Sequence, residues 1–141
     1  MKSLNNIIDR VVDILSEEKD FPYAVKTVFN STLLDIPIST PTVTVGINEA
    51  EFKLGALSLY SGLYSESENY SVPVELALSA NIYLPNAANG VVNFETLSYV
   101  VLALAESDLP VSRITCGSIR YDSTLMCSVL PVKIHLSEHI Y

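Results

Sequence analysis

From Val72 to Leu84 the chain alternates without a break. Val72, Val74, Leu76, Leu78, Ala80, Ile82 and Leu84 take every second position, with Glu75, Ser79, Asn81 and Tyr83 between them. A period of two marks a strand with one buried face. A slip of one residue would turn the whole apolar set outward, so the register is strongly specified. At about 3.3 Å per residue such a strand is roughly 40 Å long, against the usual ~5–6 residues. That length predicts a sheet reaching beyond a compact ball, with part of the strand covered by a neighbouring molecule.

The period is different at the start of the chain. Leu4, Ile7, Ile8, Val11, Val12 and Leu15 form one stripe of an amphipathic helix, and Asn5, Asn6, Asp9, Arg10 and Asp13 cover its other side. Ser3 is placed to cap it, and Lys19, Asp20 and Pro22 to stop it. A second helix is expected with Asn93 as cap and Glu95 in its first turn. Phe94, Leu97, Val100, Val101, Leu104 and Ala105 line one side, while Val91, Val92, Leu102 and Ala103 widen the apolar surface. This helix should pack across the centre of the sheet, and Pro110 closes the segment.

Shorter β signals fill the remainder. "YAVKTVFN" and "TLLDIPIS" lean towards strand, with Pro37 and Pro41 as punctuation. In "TPTVTVGI" Val43, Val45 and Ile47 oppose Thr42 and Thr44; "NEAE" reads as a polar turn, and "FKLGALSLY" as the returning strand. Near the end, "RITCGSIRY" and "LMCSVLPVKIHL" flank the turn formers of "DST", a β-hairpin with Pro131 suited to an edge or bulge. Order and period together predict an α+β fold. It consists of an antiparallel or mixed β-sheet with two helices packed on one face, a long central strand and a C-terminal β-hairpin, in a single domain over residues 1–141.

Composition narrows the function. With 49% hydrophobic residues in 141, a disordered chain is not expected. The formal charge is −8, and only 8 Lys plus Arg are scattered along the chain. Phosphate neutralisation drives nucleic-acid binding, so no nucleic-acid recognition is expected, and anionic membranes are disfavoured likewise. An acidic surface suits a basic protein partner. No apolar run approaches the roughly 20 residues of a membrane span. "MKSLNNIIDRVVDIL" is too interrupted by polar residues for a signal peptide, so a cytoplasmic site of synthesis is expected.

The polar residues of the hairpin invite a chemical reading. His135 and His139 are four apart, but on a strand and with no third ligand in view, so no metal site is assigned. Cys127 and His135 could be drawn as nucleophile and base, yet eight residues along one strand separate them by about 26 Å. Cys116 and Cys127 form neither a disulfide framework nor a zinc set, and read as half-buried strand residues. No spacing pairs two carboxylates, and the five dispersed glycines make no phosphate loop. The expectation is no catalytic residue, no cofactor and no metal. Tyr60, Tyr64 and Tyr70 sit in or beside the polar loop "YSGLYSESENYS" and are candidates for a protein interface, since tyrosine buries area while its hydroxyl stays satisfied. Glu75, an exposed alternate position of the long strand, joins them. The same tyrosines could equally fold back on their own domain.

Four stretches carry a resemblance: "SLNNIIDRVVDILSEE" as N-terminal helix, "VPVELALSANIYLP" as long central strand, "NFETLSYVVLALAES" as second helix, and "ITCGSIRYDSTLMCSVLPVKIHL" as closing hairpin with its Tyr121–Asp122 turn. In this order they resemble the tail terminator (tail completion) proteins of long-tailed bacteriophages and related contractile particles. "YAVKTVFNSTLLDIPIS" departs from the pattern, since it is not a single clear strand. The resemblance implies a structural virion protein, assembled in the host cytoplasm and placed at the head-proximal end of the tail. It would form a ring, usually a hexamer, that ends polymerisation of the tube and sheath proteins and meets the neck or connector. Another neck, connector, tube or baseplate protein is the near alternative, and a small soluble binding module the distant one.

Overall fold

The computed structural model describes residues 1–17, 24–27, 41–54, 71–85, 90–124 and 126–141, with side chains from residue 94 onwards in the second helix. Its elements in chain order are α1 (Leu4–Glu17), β1 (Ala24–Thr27), β2 (Thr42–Phe52), β3 (Val72–Pro85), α2 (Gly90–Ala105), β4 (Val111–Cys116), β5 (Arg120–Asp122), β6 (Cys127–Leu130) and β7 (Val132–Ile140). Among the described residues, two helices and a mixed, mostly antiparallel sheet of seven strands make an α+β fold. "TLLDIPIS" and most of "FKLGALSLY" lie outside the described residues.

The long strand organises the sheet. One edge of β3 pairs with β2 from Val74 to Tyr83. The other pairs with β7 from Val72 to Ser79 and with β6 from Ile82 to Pro85. Both of these pairings keep one register, so β6 and β7 are in effect a single strand interrupted at Pro131. The outer strand breaks at the same level, between β4 and β5 over Gly117–Ile119. The Pro131 carbonyl accepts from Gly117 N–H at 2.9 Å, on the outer side. In an antiparallel pair a residue's N–H and C=O point the same way, so the missing proline donor is lost to the broken outer strand and not to β3. The predicted hairpin is present. At its tip Thr124 N–H donates to Asp122 Oδ1 at 2.9 Å, and Met126 takes a left-handed conformation (φ 51°).

The even positions of β3 face the helices. Val74, Leu76, Leu78, Ala80, Ile82 and Leu84 are all buried, together with Val43, Val45, Val132, Ile134 and Leu136 from the flanking strands. On α1, Ile7, Ile8, Val11, Ile14 and Leu15 complete this core. Ser3 caps α1: Asn6 N–H donates to its hydroxyl at 3.4 Å, and Ser3 N–H donates back to Asn6 Oδ1 at 2.7 Å. The apolar row of the long strand is therefore covered within one chain. From Val74 to Leu84 the row needs no neighbour to bury it, because helices and strands of the same chain do so, while Val72 at its start is half-buried.

Three further readings are corrected. "NEAE" is not a turn: β2 runs through it to Phe52, absorbing one residue in a bulge between Ile47 and Glu49. The second helix begins at Gly90, three residues before Asn93. Its buried side is Thr96, Val100, Ala103 and Leu104, so Phe94 and Val101 face outward instead of lining the core. Arg10 of α1 ties to Asp108 beyond α2 at 3.1 Å, which holds the Asp108 carboxyl below its usual range.

Candidate protein interface

The odd positions of β3 form the second face of the sheet. Where β2 begins and β3 ends, this face is also buried: Thr42, Thr44, Cys127 and Val129 are closed off, with Tyr83 packed beside the last two. Towards the other end it opens. There the strand register sets polar side chains in rows across the sheet. Glu51 pairs with Glu75 and then Ser137; the next row runs Glu49, Ala77, His135, Arg113; the one after runs Gly46, Ser79, Lys133, Thr115. Glu49, Glu51, Glu75, Ser112, Arg113 and His135 line a shallow depression of about 470 Å³.

Glu75, the one predicted interface residue on described chain, sits at the centre of this open face and is exposed. Ser137 Oγ donates to its Oε2 at 2.7 Å, and this bond, helped by Lys53, holds the carboxyl below the usual carboxylate range. Lys53 Nζ lies 3.6 Å from Oε1, an ion pair and not a hydrogen bond. Glu51 stands directly opposite Glu75 on the neighbouring strand, and like charges so placed repel. Tyr60, Tyr64 and Tyr70 lie outside the described residues, so the predicted tyrosine cluster is not brought together with Glu75 here.

Two apolar surfaces accompany this face. On α2, Phe94 and Val101 form one outward stripe, and Tyr99 and Leu102 the next; Leu102 is 61% exposed and Phe94 50%. The signal in the sequence was a helix apolar on every side, with Glu95 the only charge between Gly90 and Ala105. At the end of the sheet, Leu4, Phe52, Val72, Ile140 and Tyr141 line a groove of about 440 Å³. Beside it Lys2 and Tyr141 exchange two backbone hydrogen bonds of 2.8 and 3.1 Å, and Lys2 Nζ pairs with Glu138 at 2.6 Å.

The hairpin residues do not converge. His135 and His139 share a face of β7 at about 13 Å along the strand, and His139 Nδ1 lies 3.1 Å from Ser71 Oγ. Among the described residues no group of three or more His, Cys, Asp or Glu side chains is arranged to hold a metal ion. Cys127 is fully buried beside the hairpin turn, where burial and the charge of Asp122 push its thiol pKa up, the opposite of an activated nucleophile. Cys116 is exposed on the outer edge, not half-buried as expected, because β4 has no strand beyond it among the described residues. No described helix is long and apolar enough to cross a membrane. No protein-family model matches the chain, and no curated protein is significantly similar to it.

Proposed function

We propose that this chain is a structural virion protein of the tail terminator kind: a ring that caps the head-proximal end of a phage tail tube, ends its growth and joins it to the neck. It acts by binding and carries no catalytic residue. One observation carries the assembly role. The outer side of α2 leaves Phe94, Tyr99, Val101 and Leu102 exposed on a single helix, and apolar surface grouped in this way is found where a partner binds. The choice of terminator among assembly roles follows the resemblance. An N-terminal helix, a long central strand, a second helix and a closing hairpin occur in the chain in that order.

In this reading the ring presents two different surfaces along its axis. One repeats contacts that a tube subunit offers, and the other lacks them, so addition stops after one layer. The excess of acidic residues suits basic patches on tube or neck. Deletion of the gene tests the proposal: tails of abnormal length, or tails unjoined to heads, are expected. Tails of normal length properly joined to heads would refute it.

A further inference from the structure

Among the described residues the sheet has two open edges. β1 covers β2 only over Thr42–Val45, leaving Gly46–Phe52 with no strand beside it among the described residues. On the opposite side β4 is likewise uncovered. The register links the two edges rung by rung. Ala50 is level with Val111, Glu49 with Arg113, Ile47 with Ile114 and Gly46 with Thr115, through the paired residues of β3 and β7. β2 and β4 run in opposite directions, since three antiparallel pairings separate them.

We infer that β4 of one copy adds to the open part of β2 in the next, joining the sheets edge to edge without offset. Rotation about an axis along the strands preserves the levels, so Arg113 of one copy meets Glu49 of its neighbour on the polar face. On the helix-side face Ile114 meets Ile47, and Val111 meets Ala50. Glu49 and Arg113 are both exposed, and neither has an ion pair within the chain among the described residues. Ile47 is 38% exposed and Ile114 half-buried, so the rung between copies removes apolar area as well.

Each edge carries one bulge, between Ile47 and Glu49 on β2 and between Val111 and Arg113 on β4. Bulges blunt an edge against indiscriminate pairing. Here they flank the Glu49–Arg113 rung on either side and restrict each edge to its complement. The free rungs end at Gly46 and Thr115, where β1 begins to cover β2, and β4 itself stops one residue later at Cys116. Such an interface is head to tail and closes into a ring. The inference gives the proposed ring its subunit contact and rests on that reading for its purpose.

Charge exchange tests it. The wild-type chain, Glu49→Arg, Arg113→Glu, the double exchange, and an equal mixture of the two single variants are compared by sedimentation across a dilution series, with thermal melts to verify folding. Wild type should assemble. Each single variant should assemble about tenfold more weakly per interface, the factor that about 1.4 kcal/mol represents. The double exchange and the mixture should both recover, because each restores an acidic edge against a basic one. Wild-type rings unaffected by the single changes, or failure of the mixture to recover, would overturn the edge contact and leave the ring reading standing. A wild-type chain that stays monomeric at every concentration and on added tail tubes would overturn both.

Discussion

Leu78 lies at the middle of β3, fully buried, with Ile47 opposite on β2 and Ile134 opposite on β7. Leu78→Ala removes three carbons, worth about 2.4 kcal/mol at ~0.8 kcal/mol each. The space left behind cannot collapse easily, because strands on both sides fix its walls. With the cavity cost included, the loss should be about 3–5 kcal/mol. That is a large part of the stability of an ordinary domain, about 5–15 kcal/mol, and corresponds to a fall in melting temperature of roughly 10–15 °C for a chain of this size. Thermal melts and urea titration measure it. The control is Glu75→Gln, three residues away on the same strand and on the open face. It gives up the Lys53 pair but also relieves the repulsion from Glu51, so the midpoint should barely move. A loss below about 1 kcal/mol for Leu78→Ala, or a larger loss for Glu75→Gln than for Leu78→Ala, would refute the assignment of the two faces.

A Cβ placed on Gly117 would stand 3.0 Å from Pro131 Cγ, so Gly117→Ala should lower stability modestly, and Pro131→Ala in the same chain should relieve part of that loss in a double-mutant cycle. A thiol reagent applied to the native protein should modify Cys116 at once and Cys127 only on unfolding; equal rates would contradict the burial of Cys127. The carboxyl of Asp108 is held below its ordinary pKa in the folded state, so the stability it adds is complete above the unfolded value and is lost as pH falls through the depressed folded one. Melting temperature followed into acid should therefore drop less steeply in Asp108→Asn than in wild type.

The parts of the fold legible in the sequence were those fixed by a local period. The alternation from Val72 to Leu84 gave β3 and its buried row, the stripe from Leu4 to Leu15 gave α1, and the two apolar runs around "DST" gave the hairpin. What failed depended on partners far along the chain. "NEAE" has the composition of a turn, yet long pairing with β3 carries the strand through it and a single bulge absorbs the misfit. The second helix is apolar all round, so its period does not say which side meets the sheet, and Phe94, equally apolar, faces out. The rows of the open face could not be read at all. Glu49 comes level with Arg113 only because three separate pairings align them across the sheet.

Tail-tube subunits polymerised with and without this protein and imaged by electron microscopy test the proposed cap most directly. The account predicts that added protein yields shorter tubes of closed length, each bearing a ring at one end only. Tubes that grow to the same lengths with bare ends in its presence would contradict it.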